Sequence, residues 1–193
     1  MADTRKVLIV VDVQNDFITG ALRNEEAIKR LPNIVNLVKT SKFDDIYLTM
    51  DTHDETYTNS LEGKKLPVEH CIEGTEGHKL AKELVKALKD FPALRIFKKN
   101  TFGAVHLARE LRDLVDLSVN QEIEFTIVGF CTDICVVSNA LLLRAFVPNA
   151  KITVFKDCCA GTNEDNHEAA LKTMESCQID VALSFSPNLG KHA

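Results

Sequence analysis

Short apolar runs recur along the chain with polar punctuation and little in-out alternation: KVLIVVDV from Lys6, DIYLTMDT from Asp45, LRIFKK from Leu94, IEFTIVGF from Ile123, KITVFKD from Lys151, and a weaker VALSF from Val181. Runs of this kind suit strands buried on both faces, as in a parallel sheet. Between them, PNIVNLVKTS, GHKLAKELVKALKD, AVHLARELRDLV, DICVVSNALLLRAF and NEDNHEAALKTMESC carry apolar residues at helical spacing. Strand and helix alternate about six times. The pattern predicts an α/β fold, a three-layer doubly wound sheet of about six mainly parallel strands with helices on both faces and right-handed crossovers.

One stretch breaks the rhythm. Asp51 to Gly77 is polar and aperiodic, and it lies between the second strand and the next helix. Loops longer than about 15 residues are usually functional or disordered, and this one leaves the carboxyl end of a strand, where open α/β sheets bind ligands. No internal repeat or linker interrupts the 193 residues, so a single domain over 1–193 is expected. GxGxxG and Walker-type loops are absent, which removes the main support for dinucleotide or nucleoside-triphosphate binding.

Composition narrows the partners. The net charge is −5 and no basic run exceeds Lys98-Lys99, which argues against nucleic acid and against an anionic membrane surface. A small neutral or cationic ligand fits better. The first apolar run, Val7 to Val11, is too short for a signal-peptide core or a spanning helix, so a cytoplasmic protein is expected. In that reducing compartment the six cysteines are expected as free thiols, most of them buried as small hydrophobes.

Three polar groups stand at the ends of predicted inner strands: Asp12, Lys98 or Lys99, and the pair Cys131 and Cys135. A carboxylate directly after an apolar run must be partnered or neutralised once buried. A lysine and a thiol nearby would meet that need and make a proton-handling set. Cys135 falls in the first turn of a helix that Thr132 or Asp133 could cap. There the helix dipole would lower the thiol pKa from about 8.5. The plainer reading is a packed cysteine. A zinc knuckle is disfavoured, because Cys131-x3-Cys135 is not CxxC and adjacent Cys158-Cys159 gives poor zinc geometry.

A second set lies in the long loop: Asp51, His53, Glu62 and His70. Imidazole nitrogens with carboxylate oxygens suit zinc, iron or manganese and leave positions open for substrate or water. The alternative is an ordinary polar turn at DTHDE with His70 hydrogen-bonded in the loop. His167 is assigned to a surface or interface helix rather than to catalysis.

The stretches VDVQNDF at 11 to 17, DTH at 51 to 53 with LPVEHCIEGTEG at 66 to 77, KKNTFGA at 98 to 104 and VGFCTDICV at 128 to 136 together resemble the isochorismatase-like cysteine hydrolases, in family order over essentially the whole chain. Within that family the DxH and the later histidine are most similar to the metal site of nicotinamidases. The resemblance implies a triad with Cys135 as nucleophile, Asp12 as proton acceptor and Lys99 as third member; Lys99 is preferred to Lys98 because it stands three before Phe102. It also implies a cis peptide at Phe130 to Cys131 and an oxyanion hole from the backbone amides of Cys131 and Cys135. Phe17 would stack on the substrate ring, with Phe102 and Phe130 as further substrate-binding positions.

On the same resemblance, Asp51, His53, His70 and Glu62 would hold a divalent metal, zinc first with iron or manganese as alternatives; Asp54 or Glu55 could replace Glu62. The implied activity is hydrolysis of nicotinamide to nicotinic acid and ammonia through a Cys135 thioester, in pyridine nucleotide salvage, and some self-association is implied too. Two departures stand out. The chain has no tryptophan, and Leu66-Pro67-Val68 occupies the neighbourhood where some nicotinamidases place an aromatic wall. The alternatives are a ureido or carbamoyl hydrolase that keeps Asp12, Lys99 and Cys135 without needing a metal, an enol-ether hydrolase that needs no cysteine nucleophile, and a non-catalytic thiol or metal module.

Overall fold

The structure, a computed structural model, describes residues 4–184. Its centre is β1 (Thr4–Val11), whose residues from Val7 onward are buried without interruption. Two further strands, β2 (Asp45–Asp51) and β3 (Leu94–Lys99), extend the sheet on one side of β1. On the other side lie β4 (Glu122–Phe130), β5 (Lys151–Ala160) and β6 (Asp180–Ala182). The order is β3-β2-β1-β4-β5-β6, and every pair runs parallel. The chain builds outward from β1 to β3 and then returns to place β4 against β1. The strand order therefore reverses between β1 and β4, where open α/β sheets bind their ligands.

Alternation along the strands assigns the two faces. Val7, Ile9 and Val11 pack with Phe125, Ile127, Val154 and the apolar stripes of α4 (Val105–Leu117), α5 (Val137–Phe146) and α6 (Glu164–Ser176). Leu8 and Val10 pack with Ile46, Leu48 and Val128 beneath α1 (Glu25–Thr40) and the short α3 (Lys82–Leu88). Each fully buried side chain of this size contributes about 1.5–3 kcal/mol relative to an exposed one, so the doubly covered central strands anchor the molecule. β3 departs from the expectation of strands buried on both faces: it is an edge strand, and Ile96 is 49% exposed.

The elements match the pattern with instructive differences. The first helix begins at Glu25, not at Pro32, because the Asn24 side chain accepts the Glu26 and Ala27 N–H groups. Pro32, the first residue of the segment with helical spacing, lies inside the helix instead. The helix expected over 77–90 is confined to Lys82–Leu88, because the chain before it pairs with the segment that follows β1: Lys79 O accepts the Asn15 N–H, and Leu80 forms a bridge with Gln14. The polar stretch after β2 is ordered by a 3-10 turn at Tyr57–Asn59 and the short α2 (Leu61–Lys65), which Ser60 caps. The last strand is Asp180–Ala182; Phe185 of the predicted run lies outside the described residues, as do residues 1–3 and the rest of the carboxyl terminus. Among the described residues, no helix is long and apolar enough to cross a membrane.

Gly129 shapes the top of the central pair. It has φ +127, and a Cβ built there would lie 2.0 Å from Val11 O, so only glycine allows β4 to press this closely on β1.

Candidate active site

The chain leaves β1 at Asp12, which adopts a left-handed φ of 50° and is fully buried. Its carboxylate meets two groups from neighbouring strands. Thr49 Oγ1, on β2, donates to Oδ1 at 2.6 Å, and the Lys99 ammonium, at the end of β3, stands 2.7 Å from Oδ2. Lys99 Nζ also lies 3.5 Å from Cys135 Sγ and 3.5 Å from Asp51 Oδ1. The parallel register explains the last contact, since Asp51 and Lys99 are direct neighbours across β2 and β3. One buried ammonium therefore touches a carboxylate, a thiol and a second carboxylate. Lys98, the other candidate, points away and pairs with Glu73 at 2.5 Å.

Burial by itself would lower the Lys99 pKa, but Asp12, Cys135 and Asp51 together hold it above the ordinary lysine range. Asp12 is pushed the other way from an exposed aspartate: burial raises it, against the opposing pull of Lys99. The Cys135 thiol is pushed well up, by burial first and by Asp12 second. The expectation of a dipole-activated thiolate is thus reversed. Cys135 lies in a π turn, Thr132–Val136, that carries no side-chain cap. Thr132 and Asp133 are engaged elsewhere. A hydrogen bond of 2.8 Å links Thr132 Oγ1 to His167 Nδ1, and Asp133 accepts the Thr162 N–H and hydroxyl. Burial thus disfavours the Cys135 thiolate and makes Asp12 the stronger base.

His167 lies on a helix exposed along most of its length, as expected of a surface helix, but its own side chain is turned inward. It is 5% exposed and supports the turn that carries the thiol. The Phe130–Cys131 peptide is cis, as the resemblance implied. Cys131 O accepts the N–H groups of Ile134 and Val136 and closes the turn. Burial pushes the Cys131 thiol up to about 12.

The loop residues converge as a second cluster. His53 Nε2 is 2.9 Å from Asp51 Oδ2 and His70 Nε2 is 3.5 Å from it; Glu62 Oε1 stands 3.7 Å from His70 Nε2 and 4.0 Å from His53 Nε2. One donor atom from each of the four lies within 4.8 Å of every other. His70 Nδ1 donates to Val68 O at 2.8 Å, which leaves Nε2 with its lone pair facing the cluster, the arrangement of a ligating histidine. Two imidazoles and two carboxylates fit a divalent ion of the zinc, iron or manganese type. Asp54 is not part of the set, because its carboxylate accepts the Thr56 N–H and hydroxyl.

Both clusters open into one cavity of about 880 Å³, lined among others by Asp51, Glu62, His70, Cys135, Phe17 and Phe102. Phe17 packs edge-on to His70 with ring centroids 5.7 Å apart. Phe102 is 48% exposed. Phe130 is placed elsewhere: its side chain is fully buried in the core beneath α1 and does not line the cavity.

Two amides hold the site without having stood out in the apolar pattern. Gln14 is fully buried; its Oε1 accepts the Asp51 N–H at 2.7 Å while its Nε2 donates to Asp51 O and His78 O, both at 2.8 Å. Asn139 donates to Cys135 O at 2.8 Å and Phe102 O at 3.1 Å and accepts the Ala104 N–H, tying the thiol turn to the loop after β3. The signal available for Asn139 was a lone amide in the apolar run VVSNALLL, since a buried amide must be satisfied.

Residues 6–184 match the family model for the isochorismatase domain. The chain belongs to the isochorismatase family. Among members of that family it is 32% identical over 178 residues to an uncharacterised isochorismatase family protein PncA of Bacillus subtilis, covering 86% of this chain and 92% of the relative. The crystal structure of nicotinamidase/pyrazinamidase PncA from Bacillus subtilis superposes on this isochorismatase domain with a TM-score of 0.76 at 28% identity, covering 93% of this chain and all of that one. A pyrazinamidase of Pyrococcus horikoshii in complex with zinc gives a TM-score of 0.74 at 26% identity, over 93% and 99% of the two chains. An N-carbamoylsarcosine amidase of Thermoplasma acidophilum shares the fold, with a TM-score of 0.73 at 21% identity over 96% and 99% of the chains.

Proposed function

We propose that this isochorismatase-family hydrolase cleaves the carboxamide of nicotinamide to nicotinic acid and ammonia through a thioester on Cys135. The observation that carries the reading is the position of Lys99, whose ammonium joins Asp12, Cys135 and Asp51 within 3.5 Å and so links the thiol to the loop cluster in one cavity. Asp12, made more basic by burial, takes the proton of Cys135 as its sulfur attacks the carbonyl carbon. Lys99 holds the Asp12 carboxylate in place and balances the charge that develops on sulfur. The backbone amides of Cys131 and Cys135 receive the oxyanion, a task in which one donor elsewhere is worth about 3–4 kcal/mol.

Collapse of the tetrahedral adduct expels ammonia with the proton from Asp12. Water, deprotonated by the same carboxylate, then cleaves the thioester and restores the thiol. Asp51, His53, Glu62 and His70 would hold a divalent metal, zinc with iron or manganese as alternatives, which when bound supplies a Lewis-acid anchor for the pyridine nitrogen. Phe17 stacks on the ring, so that the carboxamide is presented to Cys135.

The test is ammonia release from nicotinamide by protein purified without chelator and analysed for metal. Turnover that Cys135→Ala abolishes and chelation suppresses supports the reading. Turnover of a ureido compound but not of nicotinamide, unaffected by chelation, would replace it with a carbamoyl hydrolase. Iodoacetamide labelling of Cys135 no faster than of the other thiols, with no turnover, would leave only a binding module.

A further inference from the structure

The cavity is much larger than a pyridine carboxamide. Nicotinamide has nine non-hydrogen atoms; even at about 30 Å³ each, the share of the liquid that one water takes, it fills about 270 Å³. The cavity offers about 880 Å³. Volumes of about 300–1,000 Å³ belong to ligands of drug size, most of whose surface they bury.

The direction of the spare space follows from the ring. In the placement proposed above, ring nitrogen 1 faces the Asp51, His53, Glu62 and His70 cluster and the carboxamide on carbon 3 faces Cys135. Carbon 2, between those positions, is turned to the floor, where Asp51 and Cys135 are each 5% exposed. Carbon 5 lies across the ring from carbon 2 and points away from both anchors. Carbon 6 adjoins the nitrogen, and a group there would run into the cluster.

Most of the remaining lining surface is apolar, although Arg23, Glu25, Glu26 and Lys65 also border the cavity. Leu66 is 38% exposed and Phe102 48%, and both line the same cavity together with Leu22 and Ile134. An apolar group on carbon 5 would remove such surface from water, which favours binding. We propose that the site takes pyridine-3-carboxamides bearing an apolar substituent on carbon 5, up to a second ring, and that Leu66 and Phe102 set this tolerance. The inference rests on the nicotinamidase-type reading, and the chemistry is the same: the C–N bond of the amide breaks, water supplies the hydroxyl of the acid, and ammonia leaves.

The experiment compares nicotinamide, 5-phenylpyridine-3-carboxamide and its 6-phenyl isomer as substrates of the metal-loaded enzyme. It also measures their binding to the Cys135→Ala variant by calorimetry. The 5-phenyl compound is expected within tenfold of nicotinamide in kcat/KM and at least tenfold tighter in Kd, with the 6-phenyl isomer at least 100-fold poorer than the 5-phenyl in kcat/KM. Leu66→Trp should lower the ratio of 5-phenyl to nicotinamide kcat/KM at least tenfold. Good turnover of nicotinamide with the 5-phenyl compound more than 100-fold worse and no tighter overturns this inference and leaves the function standing. Equal handling of the two isomers overturns the assigned direction. No turnover of any of the three overturns the function and this inference with it.

Discussion

Lys99 carries a single charge that three groups share, and this makes its replacement informative. In Lys99→Met the Asp12 and Asp51 carboxylates and the Cys135 thiol lose the cation that stands between them. A buried carboxylate without its partner takes up a proton instead of ionising, so Asp12 would no longer serve as a base. We expect kcat for ammonia release to fall by about a thousandfold or more, as it does when members of such a unit are removed, and iodoacetamide labelling of Cys135 to slow in parallel.

His167 gives a separate prediction in the stability of the protein. Burial lowers its pKa below 6.5, outweighing Glu164 and Glu168, which raise it, while Arg30 adds to the lowering. The unfolded chain therefore binds a proton first as the medium is acidified, and stability present above about pH 6.5 is lost as the pH falls toward the folded-state value. Melting temperatures between pH 8 and pH 5.5 should drop less steeply in His167→Gln than in the parent; equal slopes would assign the acid sensitivity to other groups.

At the scale of elements, the apolar runs were sufficient for the strands and their parallel habit, because a strand covered on both faces leaves an uninterrupted apolar signature. Helix starts were harder to read. Asn24, which sets the true beginning of α1, is followed by Glu25 and Glu26, and no apolar stripe marks that turn. That Asp12, Lys99 and Cys135 would meet, and Asp51, His53, Glu62 and His70 beside them, was legible because polar residues at strand ends stand out against apolar runs. The direction of the Cys135 shift was not, because it depends on how completely the thiol is buried, a property of the packed molecule rather than of its neighbours in sequence. The edge strand β3 escaped for the same reason. Gly129 belongs to this scale as well. A methyl group there would meet Val11 O at 2.0 Å on a backbone that already has φ +127. Gly129→Ala is expected to cost more than about 3 kcal/mol, seen as a lower urea midpoint at unchanged m-value.

The whole molecule should register the metal as a ligand of the folded state. The four-residue cluster joins β2 to the loop that follows it, and an unfolded chain does not assemble it. A site held at 100 times its Kd adds about 2.7 kcal/mol to stability. In a chain of this length that amounts to roughly 5–10 °C in Tm. Thorough chelation should lower the melting temperature by that amount and zinc should restore it; an unchanged Tm on verified metal loss would assign the cluster no part in holding the loop.

The Gln14 side chain has a consequence for how the sheet ends. Beyond Val11 the main chain turns out of the sheet at Asp12, yet Asp51 still finds both a donor and an acceptor at the place where the next residue of β1 would have been, supplied by a side-chain amide. Ladder and chain thus part company, and the last rung is held by a group that mutation can remove without touching the backbone. In Gln14→Leu the Asp51 amide hydrogen should exchange with solvent deuterium far sooner than that of Leu48, three residues earlier in the same strand.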